Sequence, residues 1–107
     1  MRPNWFVLLI VFSIGAPAFA NTCAQRAGDR GRDLMNSLED LMDEAKSYPV
    51  GSSKRQQLLC QHHYKMITYA ETAIRYNECF DDKDYSQINM LKSKKRQLEN
   101  DPPEWCY

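Results

Sequence analysis

Four cysteines and two adjacent histidines are the residues of this 107-residue chain whose types could support chemistry. Cys23, Cys60, Cys79 and Cys106 could form two disulfides, ligate a metal or exchange electrons. Electron exchange finds no motif. The chain has no Cys-x-x-Cys pair, the spacing that lowers a thiol's pKa in thioredoxin-like centres, and no Cys-x-x-Cys-His for haem attachment. Cys60-Gln61-His62-His63, with Met66 one turn beyond, is the grouping richest in zinc or copper ligand types. Adjacent residues on a helix diverge by about 100°, so the two imidazoles are poorly placed to share one ion. His63 is expected in a helix seam and His62 at a partly exposed edge, with no metal site and no cofactor.

Catalytic spacings are missing as well. The chain has no Gly-x-Ser-x-Gly elbow, no glycine loop to cradle a phosphate and no EF-hand ligand series. Glu71 lies beside an apolar arc, near Ile67 and Ile74, and reads as a solvated or salt-bridged edge residue. A non-enzyme is expected.

The context of the cysteines is set by the start of the chain. Arg2, the apolar run Trp5 to Ile14, the breakers Gly15 and Pro17, and Ala18-Phe19-Ala20 compose a signal peptide over residues 1–20. The run is shorter than the roughly 20 apolar residues of a membrane span. Cleavage before Asn21 is expected, giving a periplasmic or secreted protein with no stable membrane insertion. Asn21 and Thr22 precede Cys23, which argues against a lipoprotein anchor. Without Arg2, residues 21–107 carry 13 of the 14 basic residues and all 14 acidic ones, a net charge of −1, and nothing in that balance favours nucleic acid or an anionic membrane as a partner. Residues 21–107 then form one small domain with a thin core, in which covalent staples are expected.

Three helical stretches must position these residues, separated at Tyr48-Pro49-Val50-Gly51-Ser52 and at Asp81-Asp82-Lys83-Asp84. The first runs from about Cys23 to Ser47, with an apolar seam of Ala27, Gly31, Leu34, Leu38, Leu41, Ala45 and Tyr48. Gly28 and Gly31 weaken its opening turns, so regular helix is expected from nearer Gly31. The second runs from about Ser53 to Phe80, and Ser53 with Gln56 has capping-box spacing. Its apolar arc covers more than half the circumference, so it should pack against both neighbours. Gln61, Lys65, Thr68, Thr72 and Arg75 form its polar face. The third runs from about Asp84, its cap, to Asn100, with a narrow stripe of Tyr85, Ile88, Leu91 and Leu98. Asp101-Pro102-Pro103 stops it, and the tail Trp105-Cys106-Tyr107 should fold back.

Short turns make consecutive helices antiparallel, so residues equidistant from a turn lie level. Cys23 and Cys79 are nearly equidistant from position 50, and Cys60 and Cys106 from position 82. The fold class is therefore all-α: a small antiparallel three-helix bundle stapled by Cys23–Cys79 and Cys60–Cys106.

Two kinds of surface suggest a partner. Glu39, Asp40, Asp43 and Glu44 crowd the outer side of the first helix, and Lys92, Lys94, Lys95 and Arg96 the third. The aromatic supply exceeds the needs of a thin core. Tyr69, Tyr76 and Phe80 are expected to bury between the second and third helices, leaving Tyr64 and Trp105 as surface anchors. The expected function is an exported, non-catalytic protein-binding module, such as an inhibitor or periplasmic immunity protein that blocks a secreted toxin or hydrolase. Its partner would be another exported protein, met through Glu39, Asp40, Asp43, Glu44, Tyr64 and Trp105. The alternatives are a small zinc, copper or small-ligand carrier, and a secreted signal recognised by a receptor. A carrier cavity would lie between the first two helices, lined by Met35, Met42, Met66 and Ile67.

Overall fold

The computed structural model describes residues 22–106, and the signal peptide expected over 1–20 lies outside them. Among the described residues there are three α-helices and no strand: α1 (Thr22–Lys46), α2 (Ser53–Glu78) and α3 (Tyr85–Asn100). A single 3-10 turn, Glu104–Cys106, follows. No helix among them is long and apolar enough to cross a membrane. Both expected disulfides are present, Cys23–Cys79 and Cys60–Cys106, each with a Cα–Cα separation of 5.5 Å. Such bonds fit an oxidising compartment.

The turn between α1 and α2 shows how local chemistry sets the antiparallel reversal. Gly51 has φ +83°, and the Ser52 N–H donates to the Pro49 carbonyl at 3.1 Å. This is the pattern of a type II turn, whose third residue needs positive φ and takes glycine. Ser52 is left extended, with φ −70° and ψ 148°, so Ser52 and not Ser53 caps α2. Its hydroxyl accepts from the Arg55 N–H at 3.2 Å. The Arg55 guanidinium then donates to the Tyr48 carbonyl at 3.0 Å and ties the end of α1 to the start of α2. Asp84 caps α3 as expected, accepting from the Gln87 N–H at 3.2 Å.

α2 is the central helix. It packs along α1 on one side and along α3 and the tail turn on the other, while α1 and α3 scarcely meet. Its buried residues accordingly spread over more than half of the circumference, from Thr72 at one edge through Leu58, Tyr69 and Met66 to His63 and Ile74 at the other. Leu38 of α1, Tyr69 of α2 and Leu91 of α3 are completely enclosed, one from each helix of a single core. Burying side chains of this size contributes about 1.5–3 kcal/mol apiece relative to exposure.

Four expectations are corrected at this level. Thr72 belongs to the buried side of α2, because its hydroxyl is satisfied locally by donating to the Thr68 carbonyl at 2.8 Å. Tyr85 is 66% exposed, since it is the first residue of α3 and precedes the stripe that reaches α2. Tyr76 reaches α1, where Gly28 lets its ring approach, besides packing edge-on against Phe80. Finally, α1 is regular from Thr22, through Gly28 and Gly31, both buried. Tertiary burial and the Cys23–Cys79 bond outweigh the low helix propensity of glycine, which amounts to about 1 kcal/mol per residue.

A methyl group at position 28 would meet the Tyr76 ring at 3.5 Å, an ordinary contact distance. Gly28→Ala should therefore gain helix propensity without a clash and raise stability by about 0.8–1 kcal/mol. In a domain of this size, that corresponds to a thermal midpoint roughly 4–8 °C higher. A lowered midpoint in a melting scan would mean that the Tyr76 ring needs the bare backbone.

Candidate functional site

The Cys60–Cys106 bond and the proline pair before it shape one end of the molecule. Asp101-Pro102-Pro103 ends α3 and turns the chain back, and the Cys106 N–H donates to the Pro103 carbonyl at 3.0 Å. Cys106 is joined to Cys60 of α2, and the Tyr64 hydroxyl donates to the Cys106 carbonyl at 3.3 Å. Tyr64 and Trp105 are thus brought to the same place, on α2 and on the tail turn, with 49% and 48% of their surfaces exposed. Val50 and Tyr85 are also exposed, but only Tyr64 and Trp105 stand beside a disulfide, Cys60–Cys106, whose cysteine spacing already linked the two in the sequence.

Between α2, the end of α3 and the tail lies a cleft of about 480 Å³. Met66, Leu98, Pro102 and Pro103 give it apolar walls. Lys94 stands on the α3 side, and Asp101 and Glu104 on the tail side. Its volume is within the range of about 300–1,000 Å³ typical of small binding pockets. Sequence reasoning missed this cleft and looked for a cavity between α1 and α2. Of that expected lining only Met66 borders the cleft, while Met35 is packed against the core. The clue was the double proline close to Cys106: a chain forced away from α3 and then bonded back to α2 must leave a gap between them.

His63 forms part of the wall. Its Nε2 lies 2.7 Å from the Leu98 carbonyl oxygen, which can only accept, so Nε2 carries the hydrogen. The imidazole packs edge-on to the Tyr64 ring, with centroids 5.4 Å apart. The position of His62 corrects the sequence reading, for it is buried, at 5% exposure. The reason is the width of the arc that α2 must bury when it has a helix on each side. Burial, with the neighbouring His63 adding to it, pushes the His62 pKa down from 6.5 to about 4. His62 is therefore neutral at pH 7. Burial also pushes the Tyr69 phenol upward.

The metal alternative gains nothing from this arrangement. Cys60 is oxidised, His63 Nε2 is engaged by Leu98, and no group of three or more His, Cys, Asp or Glu side chains among the described residues could hold an ion.

The charged faces are placed on separate helices. Glu39, Asp40, Asp43 and Glu44 are all exposed on α1 and enter no ion pair among the described residues. The Lys65 ammonium donates to the Ser37 hydroxyl at 2.8 Å, and the register this sets puts the quartet level with the part of α2 around Cys60. It therefore stands at the end of the molecule that carries the tail. On α3, Lys95 is held between Glu99 at 3.0 Å and Glu71 at 3.6 Å, so Glu71 has the salt-bridged edge role expected of it. The hydrogen bond to Glu99 raises the Lys95 pKa, and the charges of Glu99 and Glu71 add to this against a smaller opposing effect of desolvation. A groove of about 390 Å³ along α2 and α3 carries Arg75, Lys92 and Arg96 beside Glu71, Glu78 and Glu99, a nearly balanced charge set.

Fold and site define a small, doubly stapled helical protein with a cleft and two half-exposed aromatics at one end. Set against protein-family models, curated proteins and solved structures, the chain matches none of them.

Proposed function

We propose that this protein is exported and acts by binding another exported protein without catalysis, in the manner of an inhibitor or of an immunity protein that blocks a secreted toxin or hydrolase. The observation that carries this reading is the pair of half-exposed aromatics, Tyr64 and Trp105, on a support that a disulfide and a hydrogen bond hold rigid. Tyrosine and tryptophan give large contact area at binding hot spots, and a rigid support leaves little conformational entropy to lose on association. The acidic quartet at the same end supplies a field that speeds encounter with a basic partner.

The test is native mass spectrometry of the protein isolated from its own compartment. A second polypeptide that accompanies the wild-type chain and is lost from Tyr64→Ala/Trp105→Ala supports the reading. A bound metal or small ligand with no polypeptide overturns it in favour of a carrier.

With the partner in hand, replacing Glu39, Asp40, Asp43 and Glu44 together by lysine should weaken binding on the order of tenfold or more at low salt, mostly through slower association. The salt dependence of the association rate should flatten or reverse. Stopped-flow rates unchanged by the substitutions would remove α1 from the interface.

A further inference from the structure

Resting on that reading, we infer that the cleft between α2, α3 and the tail receives a basic segment of the partner that inserts an aromatic side chain. The apolar part of the argument comes from the walls. Met66 offers a thioether, which favours contact with an aromatic ring, and Pro102 and Pro103 offer rings without N–H donors. The cleft's volume of about 480 Å³ exceeds that of a single aromatic side chain, and Tyr64 and Trp105 are held at the same end of the molecule to add contact area.

The charge of the occupant follows from the rim. Asp101 and Glu104 are exposed and, among the described residues, have neither an ion pair nor a hydrogen bond to another side chain. Lys94 opposes them with one positive charge and is likewise unpaired, so the rim as a whole is negative. The imidazole of His63 contributes no acceptor at Nε2, because that atom donates to Leu98. A cation next to an aromatic anchor can therefore meet the carboxylates while the ring enters the apolar walls. An anion in its place would face two carboxylates for one ammonium.

Two uncharged-terminus probes of equal size separate these cases: N-acetyl-Phe-Arg-amide and N-acetyl-Phe-Glu-amide, titrated into the oxidised protein and followed by amide NMR shifts. The arginine probe should move signals around Met66, Leu98, Asp101 and Glu104 with weak affinity, and should bind roughly three- to tenfold more tightly than the glutamate probe at low salt. Asp101→Asn/Glu104→Gln, which lies in exposed positions outside the core, should remove that preference. Equal or tighter binding of the glutamate probe, shifts confined to the basic stripe of α3, or no shift with either probe would overturn the inference. Two further outcomes distinguish it from the reading it rests on. A polypeptide partner that tolerates Asp101→Asn/Glu104→Gln but not Tyr64→Ala/Trp105→Ala leaves the binding function standing and removes the cleft from it. Specific uptake of the arginine probe by a protein that brings no polypeptide out of its compartment leaves the cleft standing and removes the protein-binding function.

Discussion

Cys60→Ser/Cys106→Ser is expected to lower the unfolding free energy by about 4 kcal/mol and to abolish binding of the proposed partner even under conditions where the helices persist. The stability component is the loop-closure entropy of a bond spanning 46 residues, which in the chain-entropy model is about 4 kcal/mol. The binding component arises because this bond is the covalent link between the tail and α2. Without it, the Tyr64–Cys106 hydrogen bond, partly exposed, must hold the turn with the help of packing alone. Trp105 would lose its fixed position, and the cleft its tail wall. Cys23→Ser/Cys79→Ser is the control. Its loop spans 56 residues, so the stability loss should be similar, also about 4 kcal/mol, but the bond lies at the other end of α2, away from the cleft. Urea unfolding together with binding measured below the unfolding transition separates the two effects. If both double variants lose binding equally once stability is matched, the tail staple has no special role in the site.

The second large effect is acid destabilisation through His62. Its folded-state pKa is about 4 and its ordinary value 6.5, so between these pH values the unfolded chain takes up a proton that the native protein does not. Stability is therefore complete above pH 6.5 and declines as pH falls towards 4. The expected loss from this one group is about 1.4 kcal/mol at pH 5.5 and about 3 kcal/mol at pH 4, relative to pH 7. The physical origin is the removal of an imidazolium from water into a helix interface, next to a second imidazole. Denaturant unfolding of the wild type and of His62→Gln at pH 7, 5.5 and 4 tests this. The variant should show a shallower decline, by about the same amounts. Parallel curves for the two proteins would assign the acid sensitivity to other groups.

Much of the architecture is legible in the residues themselves. The seam of α1 through Leu34, Leu38 and Ala45 repeats at helical spacing, and the wide arc of α2 identifies the helix with two neighbours. The disulfide pairing follows from equal distances to two turns, because an antiparallel helix pair converts sequence separation into height. Asp84 declares itself as a cap by residue type and by its distance from Gln87. These are one-dimensional properties: period, spacing and local hydrogen-bonding capacity.

What escaped sequence reasoning depends on azimuth and on approach between elements. Whether His62 or its neighbour faces the solvent is decided by a rotation of α2 that a period of 3.6 residues specifies only loosely when most of the circumference is apolar. Gly28 reads as a weak point until the Tyr76 ring is seen lying against it. Thr72 reads as polar surface until its hydroxyl is found to satisfy itself within its own helix. The cleft is the clearest case. Met66, Leu98, Pro102 and Glu104 carry no joint signature in the chain, and they meet only because the prolines turn the tail away from α3 while Cys106 draws it back to α2. Composition, periodicity and cysteine spacing alone determined an all-helical protein with two staples. The tertiary structure alone decided which residues line the cleft beside the tail staple, because a gap between elements is a property of their relative placement and of no segment by itself.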